Sequence, residues 1–277
     1  MMGVEPNEEV AVGVVGVLGA GVMGEALASG LLRAGRRPSD LLLTERRDER
    51  AAELRERYGV DVVTNAEAAG KADTLVLVVK PQDMADLLAE ISPHLSPGAL
   101  VVSLAAGITT GFVESRLPTG VAVVRVMPNT PALVDEGMAA ISRGEHCDER
   151  HLAEAEELLS SVGRVLRVPE QQLDAVTAVS GSGPAYLFFV VESMIEAGVH
   201  LGLPRTTAAE LVLQTVVGSA KLLRETGEHP TVLREQVTSP GGTTAAAIRE
   251  LEDHKVRAAF LTALEAARDR SRELSGG

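Results

Sequence analysis

The chain has 277 residues and a formal net charge of −13, with 45% hydrophobic but only 2% aromatic side chains. That acidity leaves no surplus of cations for nucleic-acid phosphates, and two Tyr, four Phe and no Trp make no base-stacking platform. The single cysteine, Cys147, permits neither an intrachain disulfide nor a multi-cysteine metal site, which favours a reducing compartment. Positions 10–24 are apolar throughout. Glu8 and Glu9 stand where a signal peptide carries positive charge, and the stretch is shorter than the ~20 residues of a spanning helix. It reads as a buried strand entering a glycine turn, in a cytoplasmic protein with no membrane partner.

Short β-branched runs fall at 12–18, 41–44, 60–63, 74–79, 100–104 and 121–126, with weaker ones at 138–141 and 164–168. Helical spacing of apolar residues marks 23–34, 50–58 and 83–91. Strands apolar on both faces that alternate with helices predict a mostly parallel sheet covered on both sides, a Rossmann-type α/β domain. The late strands carry no evident long helix between them, so part of the sheet is expected to run antiparallel. Beyond Pro169 the pattern is helical, at 173–179, 185–201, 205–226, 231–236, 244–252 and 255–274. Breaks are expected at 181–184, 202–204, 227–230 and 239–242. The chain therefore divides into a dinucleotide-binding domain, 1–169, and an all-helical domain, 170–277.

Leu18-Gly19-Ala20-Gly21-Val22-Met23-Gly24 follows the first strand and opens the first helix. In that context GxGxxG is a dinucleotide fingerprint. Gly19 permits the tight turn, Gly21 lets backbone approach a pyrophosphate, and Gly24 lets the helix lie close to the strand. The phosphates would then meet free N–H groups at the positive end of the helix dipole. Glu45 stands where an acid would hold the ribose diol of NAD, and Arg46 and Arg47 follow it, where an arginine would hold the 2′-phosphate of NADP. These residues leave NADPH and NADH both open.

Ligands of such sheets lie beyond the carboxyl ends of the strands. Val79-Lys80-Pro81 ends the fourth strand, Ala105-Ala106-Gly107 follows the fifth, and Pro128-Asn129-Thr130-Pro131 follows the sixth. The small residues at 105–107 would admit the nicotinamide ribose to the backbone. Lys80 is either an electrostatic contact or a surface lysine. The prolines flanking Asn129 and Thr130 either shape a site or stiffen a turn. In Ser180-Gly181-Ser182-Gly183-Pro184, Ser182 reads as a helix N-cap and Pro184 as a first-turn residue.

The sharper helical-domain feature is Thr238-Ser239-Pro240-Gly241-Gly242-Thr243-Thr244, a loop of hydroxyls and glycines opening a helix. N–H groups at Gly242, Thr243 and Thr244 would form a nest for a carboxylate, with Ser239 and Thr244 adding hydroxyl donors. The alternative is an elaborate helix cap. The six histidines form no ligand-spaced pair within a motif, so no metal is expected, and His146 and His151 read as solvated residues near a helix start.

The segments LGAGVMG, VVKPQ, SLAAG, RVMPNTP, DAVTAVSGSGPAY and LREQVTSPGGTTAAAIRELE occur in the order found in pyrroline-5-carboxylate reductases, and the chain resembles that family over most of its length. The resemblance implies reduction of 1-pyrroline-5-carboxylate to L-proline by NADPH or NADH, the last step of proline biosynthesis. It implies a homodimer, often assembled into a larger ring, in which one subunit's cofactor meets the other subunit's helical loop. It places the cofactor on Leu18 to Met23, Asn65, Val79, Lys80 and Ala106. Substrate is placed near Glu170, Gln236, Ser239, Gly242, Thr243 and Thr244, with Thr244 as the catalytic hydroxyl. Two departures stand out: 45–47 is not the small polar loop many members carry, and Gln236 replaces a shorter amide or acid. A hydroxyacid dehydrogenase, or a reductase of another cyclic imine on the same architecture, is the competing reading. The first is weakened because its usual helical-domain lysine has no counterpart in a recognised motif, since only Lys221 and Lys255 occur there.

Overall fold

A computed structural model describes residues 13–276, so position 12 of the first expected strand lies outside the described residues. The chain forms two compact units, 1–181 with 268–277, and 182–267.

The first unit is built on one eight-stranded sheet of order β3-β2-β1-β4-β5-β6-β7-β8. Its elements run β1 (Val15–Leu18), α1 (Val22–Arg33), β2 (Leu41–Thr44), α2 (Asp48–Tyr58), β3 (Asp61–Val62), α3 (Asn65–Lys71), β4 (Thr74–Leu77), α4 (Met84–Ile91) and β5 (Leu100–Ser103). They continue with α5 (Thr110–Glu114), β6 (Ala122–Met127), β7 (Gly137–Arg143), α6 (Glu149–Ser160), β8 (Gly163–Arg167) and α7 (Leu173–Val176). The strand order reverses between β1 and β4, which pair in parallel, and that is the switch point where such sheets take their ligands.

Alternate strand residues feed two aliphatic cores. Val17, Leu43, Val76, Val102 and Val124 belong to one; Leu75, Leu77, Val101 and Val123 belong to the other. Among the described residues no aromatic side chain is fully buried in either, in keeping with the aliphatic composition.

The part of the sheet expected to run antiparallel is the β6–β7 pair, but the expected lack of a long helix among the late strands needs correction. Only β6 and β7 pair antiparallel, whereas β7 and β8 run parallel. The crossover between them is α6, a twelve-residue helix that buries Leu152, Ala155, Leu158 and Leu159. Those positions have helical spacing, but the acidic residues among them hid the pattern. Asp148 and His151 cap this helix reciprocally, so His151 is a capping residue rather than a solvated one.

The second unit is helical: α8 (Gly183–His200), α9 (Arg205–Thr226), α10 (Pro230–Gln236), α11 (Thr243–Asp253) and most of α12 (Val256–Leu274). Gly181 to Pro184 does not make the expected simple break. A π turn at Thr177–Gly181 stands between α7 and α8. Ser182 occupies the N-cap position of α8 without a capping bond from its side chain, while Pro184 does sit in the first turn. The helical stretch 170–200 reaches a mean hydropathy of 1.2, long and apolar enough to cross a membrane by length and composition, and only 6% of that window is buried. Phe188 and Phe189 on α8 are 65% and 70% exposed, an apolar surface of the kind that partners cover.

Candidate active site

The glycine turn is set by sterics. Gly19 has φ +102, and a Cβ there would stand 2.6 Å from the Val78 carbonyl oxygen. A Cβ on Gly24 would stand 2.2 Å from the Gly19 carbonyl oxygen, so only glycine lets α1 start this close to β1. A Cβ on Gly21 would meet nothing within 4 Å, so its α-carbon faces open space. Gly21 is the N-cap of α1, and no side chain caps that end. The leading N–H groups of the helix are thereby left for an anion. These three glycines fit a dinucleotide pyrophosphate, with close packing on two sides and clearance on the third.

The neighbouring strand ends are tied to this turn. The Gly19 and Ala20 N–H groups donate to Thr44 Oγ1 (3.1 Å) and the Thr44 carbonyl (2.9 Å), and the Val78 N–H donates to the Leu18 carbonyl (2.8 Å). The structure thus brings together Leu18 to Gly24, Glu45 after β2 and Val79 after β4. Met23, Leu104, Pro128 and Asn129 line one common pocket, which joins the turn to the loops after β5 and β6. Lys80 and Pro81 are exposed beside Val79.

The 45–47 loop is ordered by its own charges. Glu45 Oε1 accepts from the Arg47 N–H (3.0 Å) and Nε (3.2 Å), and Oε2 accepts from the second guanidinium nitrogen (3.3 Å). The Arg47 guanidinium holds the Glu45 carboxyl below the ordinary carboxylate range. Arg46 is exposed and makes no ion pair among the described residues.

The 105–107 segment divides by role. Ala105 is buried in the core and Ala106 is exposed. Gly107 has φ +76, and a Cβ there would lie 3.0 Å from the Leu274 carbonyl oxygen. Its small size therefore serves backbone conformation and the approach of α12. Asn65 opens α3 and donates from its amide to Glu90 (2.9 Å), which leaves its carbonyl oxygen available.

Glu170 lies in the first unit, and its carboxylate is already engaged. It accepts from the Thr110 N–H (2.8 Å), Thr110 Oγ1 (2.7 Å) and Arg125 (3.1 Å). Burial pushes its pKa up, but these hydrogen bonds outweigh burial and leave it lowered. Gln236, Ser239, Gly242, Thr243 and Thr244 lie in the second unit. There Gly241 takes φ +68, and the Gly242 N–H closes a turn on the Ser239 carbonyl (3.0 Å). Gly242 is the N-cap of α11 without a side-chain capping bond. The hydroxyls of Ser239, Thr243 and Thr244 make no hydrogen bond among the described residues, while Thr238 Oγ1 donates to the Arg234 carbonyl (2.6 Å).

Two further residues position the site: Asn129, in a loop the sequence marked without giving this residue a role, and Glu25, which was not singled out from sequence. Asn129 accepts the Met138 N–H (2.8 Å) and donates to Ser180 Oγ (3.2 Å), so the loop after β6 is bonded to the π turn. Glu25, in the first turn of α1, accepts from Arg50, Arg57 and the Tyr58 hydroxyl and holds α2 against α1. Its place directly after the glycine motif was the available signal.

Residues 170–274 match the pyrroline-5-carboxylate reductase dimerisation family, and residues 14–107 match the family described as NADP oxidoreductase coenzyme F420-dependent. A pyrroline-5-carboxylate reductase of Corynebacterium melassecola is 49% identical over 264 residues, covering 94% of this chain and 98% of the relative. Among solved structures, a pyrroline-5-carboxylate reductase from Coxiella burnetii superposes with TM-score 0.91 at 38% identity, covering 95% and 98% of the two chains. The Plasmodium falciparum pyrroline carboxylate reductase with NADP bound superposes with TM-score 0.85 at 31% identity, covering 95% and 98%.

Proposed function

Because this chain belongs to the pyrroline-5-carboxylate reductase family, its reaction is the NAD(P)H-dependent reduction of 1-pyrroline-5-carboxylate to L-proline, the last step of proline biosynthesis, and we propose which of its residues carry each part. The cofactor would be held along Leu18, Gly19, Ala20, Gly21, Val22, Met23 and Gly24, with Asn65, Val79, Lys80, Pro81 and Ala106 lining its path, while Gly107 and the buried Ala105 shape the loop that presents Ala106. Arg46 meets the 2′-phosphate of NADPH, the preferred cofactor, because the Glu45 carboxylate is already taken by Arg47.

The substrate carboxylate sits in the nest made by Ser239, Gly242 and Thr243, and Thr244 Oγ orients the ring nitrogen. Gln236 flanks this loop. Glu170 serves the substrate site indirectly, since its oxygens are bonded to Thr110 and Arg125. No titratable side chain occurs from Val237 to Ile248. The reaction suits that set: the cyclic imine arrives protonated, and the iminium accepts hydride without a proton from the protein. When bound, NADPH would supply the hydride that the C=N carbon accepts.

The functional boundary falls at 169/170, with the dinucleotide-binding part before it and the substrate and dimerisation part after it. The enzyme works in the cytoplasm as a homodimer, assembled further into a ring, and each site pairs one copy's glycine turn with the other copy's 239–244 loop. The observation that carries the reading is the pair of uncapped helix starts, at Gly21 and Gly242. Oxidation of NADPH at 340 nm with 1-pyrroline-5-carboxylate tests it. Fast oxidation is expected, and none by a folded, nucleotide-binding protein would move the assignment to another imine or a hydroxyacid.

A further inference from the structure

We propose that the last turn of α12 is a positioning device for the cofactor loop 104–110, an inference that rests on the cofactor path proposed above. Ala106 is the exposed member of that loop, and no residue of the glycine turn holds it by a hydrogen bond. Two braces fix it instead. At its far end, Thr110 donates from N–H and Oγ1 to Glu170, which also accepts from Arg125. In its middle, Gly107 lies against the backbone of Leu274, close enough that a Cβ would stand 3.0 Å from the Leu274 carbonyl oxygen.

The two braces converge on one helical segment. Buried Ser271 donates from Oγ to Asp174 Oδ1 at 2.7 Å, one helical turn beyond Glu170. The segment 170–174 therefore holds Thr110 directly and holds Gly107 through Ser271 and Leu274. The end of α12 belongs to the same compact unit as the sheet. Loosening Ser271 frees Leu274, and with it the backbone that presents Ala106 to the nicotinamide side of the cofactor. Ser271 and Asp174 are positioning residues in this account and touch no ligand.

The test uses the full-length protein with Ser271→Ala, the conservative Ser271→Thr, and a chain ending at Arg270. NADPH affinity is measured by calorimetry without substrate, beside KM for each substrate, kcat and Tm. The NADPH Kd is expected to rise roughly threefold in Ser271→Ala and about tenfold in the shortened chain, the scale of one and of several lost contacts. KM for 1-pyrroline-5-carboxylate should stay within about twofold, and Ser271→Thr should restore wild-type affinity. A fall in Tm or in active fraction with the NADPH Kd unchanged would show a merely structural turn and overturn the proposal. Wild-type protein that binds NADPH, with all variants binding it equally, overturns this proposal alone. Wild-type protein without NADPH binding overturns the cofactor path and the positioning role with it.

Discussion

The carboxylate of Glu45 accepts both the backbone N–H and the guanidinium of Arg47, so the acid at the end of β2 is neutralised from within its own loop. Arg46, between them, keeps an unpaired charge among the described residues, beside a turn whose N–H groups are bonded to Thr44. Arg46→Ala is expected to raise the NADPH Kd about tenfold and leave the NADH Kd within about twofold, since only the 2′-phosphate differs. Equal loss for both cofactors in a calorimetric titration would refute that role. Arg47→Ala is expected to shift the ratio towards NADH by releasing Glu45.

Thr244→Ala separates chemistry from cofactor binding. Turnover should fall about a hundredfold, the scale of removing one donor aimed at the reacting group. NADPH affinity should be unchanged. Equal loss of both would make Thr244 a structural residue of α11.

Gly24→Ala tests the steric account of the turn. The added methyl would stand 2.2 Å from the Gly19 carbonyl oxygen, backbone that cannot swing aside as a side chain can. Destabilisation of about 2–3 kcal/mol is expected from overpacking, together with loss of measurable NADPH binding. A Tm and Kd matching wild type would show that α1 can move outward without consequence. Gly21→Ala, with open space around it, should preserve Tm and weaken only the cofactor.

Glu170 gives a pH prediction with a definite sign. Its folded pKa is lowered, so its stabilising contribution is present above the unfolded value and is lost as pH falls through the folded value. Glu170→Gln leaves the buried Arg125 guanidinium, 8% exposed, without its counter-charge. A cost of about 2 kcal/mol is expected at pH 7. In denaturant titrations the gap between wild type and variant should be constant near neutrality and narrow below about pH 4. A gap independent of pH would mean that the carboxylate charge contributes nothing.

What the sequence disclosed follows from how local each cause is. The glycine turn was legible because Gly19, Gly21 and Gly24 act within one strand–turn–helix. Most strands were legible because both their faces are apolar. Helix α6 was hidden because Glu154, Glu156 and Glu157 surround its buried positions, and without it the parallel pairing of β7 with β8 was not evident. The engagement of Glu170 was out of reach, since Thr110 and Arg125 lie 60 and 45 positions away in the chain. At 45–47 the residue types were plain, but which charge stays free depends on a side-chain geometry that composition does not specify.

The exposed Phe188 and Phe189 have a consequence for how firmly this enzyme holds its shape. The chain carries the dimerisation domain of its family, and where a second copy covers that surface, mass action enters the folding equilibrium and dilution works as a denaturant. The same protein will show a higher melting temperature in a concentrated sample than at assay dilution. A mutation that weakens only the helical unit can pass unnoticed at high concentration, and it emerges as lost activity when the enzyme is scarce.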